Sequence, residues 1–126
     1  MADIEKDESL ELIASNKVEG TSVYNSGGEK LGSIYNFMVN KFTGQVEYAV
    51  LQFGGFLGMG SDYYPVPWAL LDYQEDKGGY VMNVDKKTLE SAPHFPLDNL
   101  PEFNAAYGNR VYGAYDISRN ISARPM

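Results

Sequence analysis

The sequence predicts a mainly β chain: a small antiparallel β-barrel with a short helix after its last strand and a C-terminal helical tail. Three observations predict it. Short apolar runs follow one another from residue 18 to residue 84, each closed by a cluster of Gly, Asn, Asp or Pro. Helix-start signals appear at Asp85 and Asn99. The 126 residues suit one domain, and 44% hydrophobic against 21% charged residues is enough to pack a core.

The elements follow in order. Residues 1–12 carry Asp3, Glu5, Asp7, Glu8 and Glu11 and read as an acidic tail. The barrel is expected over 13–96. Val18 to Tyr24 is its first strand, ended by the turn Asn25-Ser26-Gly27-Gly28. Lys30 to Val39 is the second, and Asn40 to Gly44 turns it into a hairpin with the third.

Gln45 to Gly54 is the strongest strand signal, and both of its faces are apolar. Val46, Tyr48 and Val50 share one face; Ala49, Leu51 and Phe53 share the other. A strand buried on two sides needs cover on two sides. The barrel core supplies one cover. A helix, a tail or a second subunit must supply the other. The expectation is a homodimer, held by Tyr48 and Val50 together with Phe103, Tyr107 and Val111 of the tail.

Gly54 to Gly60 is a loop by glycine content. Tyr63 to Trp68 is extended, because Pro65 and Pro67 forbid helix and confine the segment to a sheet edge or bulge. Leu70 to Tyr73 is a short strand or turn, Gln74 to Gly79 a hairpin turn, and Tyr80 to Val84 the last strand. Asp85 can cap a helix over 86–90, which Pro93 and Pro96 stop. Asn99 offers another cap, with Pro101 in the first turn, and Leu100, Phe103, Tyr107, Val111 and Ala114 keep helical spacing. The tail is therefore expected as a helix or ordered segment over 97–117, with a disordered end over 118–126.

Composition narrows function. No cysteine excludes thiolate chemistry and disulfides, and one histidine leaves a typical zinc site without ligands. No catalytic residue, cofactor or metal site is expected. A formal charge of −7 repels phosphate backbones and anionic membranes, but suits a basic protein. No apolar run reaches the ~18 residues of a membrane span, and the acidic N-terminus is unlike a signal peptide, so a cytoplasmic location is expected.

The loop 54–60 lacks the Gly-Lys-Ser/Thr ending of a phosphate-binding loop, since Ser61-Asp62 follows Gly60. Its Phe56, Leu57 and Met59, with Tyr63 beside them, are the candidate contacts for a protein partner. Trp68 reads as core and His94 as an exposed loop residue. Asp72, Glu75 and Asp76 read as a solvated turn. A second reading has Tyr35, Tyr48 and Trp68 lining a barrel mouth that holds a small molecule.

The pieces Gly32-Ser33-Ile34, Thr43-Gly44-Gln45-Val46-Glu47-Tyr48, Gly54-Gly55-Phe56-Leu57-Gly58 and Tyr64-Pro65-Val66-Pro67-Trp68, in that order, resemble the PRC-barrel family. The likeness runs on through Gly79-Tyr80-Val81 to Leu89-Glu90-Ser91-Ala92-Pro93 and covers about residues 13–95. The family includes the cytoplasmic domain of the photosynthetic reaction-centre H subunit and a domain of a ribosome-maturation factor. The resemblance implies a small β-barrel that binds proteins and does no chemistry, like stand-alone bacterial members with one barrel and a short tail. The chain lacks the membrane helix of the first relative and the extra domain of the second, so neither specific role carries over. Asn36 and Asn40 stand where acidic residues are common in the family, and no ionic role is carried over to them. An assembly factor docking on a basic ribosomal protein is a further reading of the same resemblance.

Overall fold

A ten-residue strand and an eight-residue strand set the frame. In the computed structural model, which describes residues 12–53 and 62–117, β2 (Lys30–Val39) pairs antiparallel with β3 (Val46–Phe53). Asn40 makes their turn. Its Oδ1 accepts the N–H groups of Phe42 and Thr43, at 2.9 and 3.0 Å, and Gly44 takes φ +80°.

β1 (Ser22–Tyr24) lies beyond β2, and β4 (Asp62–Pro67) lies beyond β3, both antiparallel. The hairpin β5 (Leu71–Gln74) and β6 (Gly79–Met82) completes a six-stranded sheet of order β4-β3-β2-β1-β6-β5. One pairing departs from the antiparallel expectation: β1 and β6 run parallel, with Val23 opposite Tyr80.

The sheet has to curl. Flat, its outer strands would lie about 24 Å apart at ~4.8 Å per strand. Yet only the 3₁₀ turn Trp68–Leu70 joins β4 to β5, a reach of about 14 Å. The result is a half-barrel. Trp68 packs inside the bend, 6.1 Å from the Phe37 ring and 5.6 Å from Tyr80, as expected of a core residue.

The concave face holds the main core: Val23, Ile34, Ala49, Leu51, Val66 and Met82. Helix α2 (Lys86–Ser91) closes it with Leu89, and Ala92 follows. Asp85 caps this helix as expected, accepting the Thr88 N–H at 2.8 Å, which holds its carboxyl below the usual carboxylate range.

Two elements differ from expectation. Val18 is not strand. It ends a single helical turn, α1 (Ser15–Val18), and strand begins only at Ser22. The last helix, α3 (Ala105–Ala114), starts five residues later than a cap at Asn99 proposes. A helix capped by Asn99 would need Leu100 in the helical conformation, which Pro101 disfavours in the residue before it. Asn104 is the cap instead, and its Oδ1 takes the Tyr107 N–H at 3.0 Å. Asn104→Ala is expected to cost about 1 kcal/mol, seen as a lower urea midpoint with an unchanged slope.

Candidate functional site: a groove on the convex face

The convex face of β3 is already covered by its own chain. At Phe95 the chain returns to the edge of β4 and makes a one-residue bridge: Tyr63 N–H donates to Phe95 O at 2.9 Å, and Phe95 N–H to Tyr63 O at 3.0 Å. It then crosses back over the sheet to α3. Phe103 is the hub of that crossing, with its ring 6.2 Å from Tyr48, 5.8 Å from Phe95 and 5.8 Å from Tyr107. The Tyr112 hydroxyl donates to the backbone carbonyl of Glu47 and pins α3 to β3.

The five residues expected between two subunits therefore sit differently. Tyr48 (4% exposed), Val50 (2%), Tyr107 and Val111 are buried within the single chain, and Phe103 alone keeps a third of its surface. Of the three covers the pattern allows for β3, a helix, a tail or a second subunit, residues 95–112 supply one from within the chain.

The crossing leaves a groove of about 440 Å³. Tyr35, Asn36, Met38 and Val50 form its floor; Phe95, Leu97, Leu100 and Phe103 form its wall. Past Met38 and Phe103 a second depression of about 250 Å³ continues towards Val39, Phe42 and Glu47. Large apolar groups stay exposed along this line, Leu100 at 57% and Phe42 at 71%.

A β-bulge shapes the floor. Ile34 pairs with Leu51, but Asn36 pairs with the next residue, Val50, so Tyr35 is the extra residue. Tyr35 and Asn36 then both turn to the convex side, and Tyr35 meets Tyr63 edge-on at 5.0 Å. Asn36 Oδ1 is buried there with no hydrogen-bond partner. An acceptor left so costs on the order of 1–3 kcal/mol.

The other sequence candidates are placed as follows. Tyr63 is buried behind the groove, against Phe95 and Val50, and is not a free anchor. Phe56, Leu57 and Met59 lie outside the described residues. Tyr35, Tyr48 and Trp68 do not form a barrel mouth, since Trp68 joins the concave core while Tyr35 and Tyr48 face the convex side. His94 stacks on Tyr64 at 4.8 Å, holds Ala92 O through Nδ1 at 3.0 Å, and brings Nε2 within 4.0 Å of Asp62. Asp72 is an exposed residue of β5, and Glu75 and Asp76 stay on the exposed turn that follows it. Among the described residues no group of three or more acidic or histidine side chains could hold a metal ion, and no helix is long and apolar enough to cross a membrane. The groove wall at Leu97 and Leu100 was missed, because both were read as part of a helical tail.

Behind the wall, α3 buries three phenols. Burial raises the pKa of Tyr64, with Asp62 and Glu90 adding to it. Burial also raises Tyr107, against the pull of Arg110, and raises Tyr115 furthest, with Tyr64 and Tyr107 adding. The Tyr107 and Tyr115 hydroxyls have no hydrogen-bond partner. An unfolded chain would release these protons near pH ~10, before the folded one. The stability they contribute is present below that pH and is lost as pH rises through the folded values. Ultraviolet titration should therefore show these phenolates appearing together with the loss of circular dichroism.

A family model of the PRC-barrel domain matches residues 10–89, more than half of the sequence. A comparison with curated proteins finds no match.

Proposed function

This chain belongs to the PRC-barrel family, and on that premise we propose that it is a non-catalytic protein-binding module that docks its partner in the convex groove. The observation that carries the reading is the groove itself: seven of its eight lining residues are apolar, and its wall exposes Leu97 and Leu100. Contiguous apolar surface of this kind is uncommon on a protein without a partner. Self-association loses its original ground, because the face that called for it is covered from within the chain. A small-molecule carrier is less well supported, since Asn36 supplies the one polar side chain lining the groove. We place the module in the cytoplasm, in keeping with a cysteine-free sequence.

The test is photo-crosslinking in cells. A photoreactive side chain at Leu100 is expected to yield a discrete protein adduct, and the same group on the exposed turn at Glu75 is expected to yield none. Equal labelling from both positions, or none from Leu100, would count against the groove.

A further inference from the structure

The groove has a chemical signature beyond being apolar, and it specifies the kind of partner. Its floor carries one buried, unpartnered acceptor, Asn36 Oδ1. The segment that builds its wall carries Asp98 and Glu102, both exposed, beside Leu97, Leu100 and Phe103. The adjoining depression adds Glu47, with Lys41 as the cation lining it. The whole chain has a formal charge of −7.

Resting on the docking reading above, we propose that the occupant is a basic amphipathic protein segment. Its apolar side chains fill the space over Met38 and Val50. Asn36 turns its amide out of the floor, and its Oδ1 accepts one of the occupant's N–H donors, from backbone, Lys or Arg. Its remaining cations meet Asp98 and Glu102. Each part answers a feature of the site. An acidic occupant would face like charge at the rim, and a second copy of this chain would bring another −7 with it. A purely apolar occupant would leave Asn36 Oδ1 as unpaired as it is in the free chain.

The probes are two synthetic amphipathic peptides, one of leucine and lysine, the other with glutamate in place of every lysine. Each is titrated into the full chain by calorimetry, with amide shifts recorded by NMR. The leucine–lysine peptide is expected to bind, to shift the amides of Tyr35, Asn36 and Leu100, and to weaken as salt is added. Asn36→Leu is expected to bind it about tenfold more weakly, the loss of one hydrogen bond. That variant should melt no lower than the parent, because it removes an unpaired buried acceptor.

Equal binding of the glutamate peptide, or undiminished binding by Asn36→Leu, overturns the proposed partner chemistry and leaves the docking reading standing. A dimer by light scattering that Leu100→Asp splits also overturns it, since a second copy would then fill the groove. If neither peptide shifts the groove amides while Leu100 still crosslinks to protein, only the partner chemistry falls. If the crosslinks are absent as well, the docking reading falls with it.

Discussion

Val50→Asp should unfold the chain, and to the same degree in dilute and concentrated solution. Val50 is 2% exposed and packs with Tyr63, Phe95 and Met38 beneath the chain's own crossing segment. Among the described residues, the cluster is built of Val50, Tyr63, Phe95 and Met38, none of them a cation. A carboxylate there loses its water and gains no partner, a change of the class that costs upwards of about 4 kcal/mol. That is much of the 5–15 kcal/mol or so that holds a typical domain together. Because the cover is intramolecular, the midpoint of unfolding should not move with protein concentration. An interface between copies would make it move. Urea titrations at two concentrations a hundredfold apart, on the parent and the variant, decide between them. A folded, monomeric Val50→Asp derived from a dimeric parent would mean that a second copy covers β3 after all.

Gly79→Ala is the second large expectation. Gly79 opens β6 where it meets β1, at the parallel seam of the sheet. An added methyl carbon would lie 2.5 Å from the Ser22 carbonyl oxygen and 3.2 Å from the Tyr24 ring. The nearer atom belongs to backbone and cannot swing aside, so β1 and β6 must separate. A cost of about 3 kcal/mol is expected, at the upper end of overpacking. Its neighbour is the control. Gly78 has open space around its missing side chain but sits at φ +63°, so Gly78→Ala should cost only about 1 kcal/mol of backbone strain. Urea unfolding gives both values. Hydrogen exchange should show faster exchange at β1 and β6 amides in Gly79→Ala and not in Gly78→Ala. Equal losses in the two variants would mean that the seam is not tight at Gly79.

Much of this architecture could be read from local patterns. The bounds of β2 match the sequence reading, because turn residues flank it on both sides, and Asp85 caps α2 as its side chain allows. What failed was long-range or conformational. The pairing of Val23 with Tyr80 depends on how the sheet curls, and no alternation encodes it. Apolar residues on both faces of β3 announced two covers, but the pattern could not say whether the second came from this chain or another. Leu100 and Phe103 fit helical spacing, yet Pro101 disfavours a helix begun at Asn99, Asn104 caps α3 instead, and residues before it became a groove wall. Nothing in the sequence put Asn36 in a groove, because the bulge that turns it outward exists only once β2 and β3 have paired.

The edge of β4 has a consequence for how these molecules behave in a crowd. Tyr63 directs both its backbone groups outward, to Phe95. Residues 65 and 67 share that orientation, as alternation along a strand requires, and both are prolines. Both are among the most deeply buried of the described residues, so the chain's own packing covers this rim beyond the bridge, and neither position carries an amide proton that the cover would have to satisfy. An extended chain cannot reach that stretch to build a ladder, and would find no donors there if it did. The protein is thus protected on this side against templating its own aggregation into fibrils, by two residues that cost the interior of the sheet nothing.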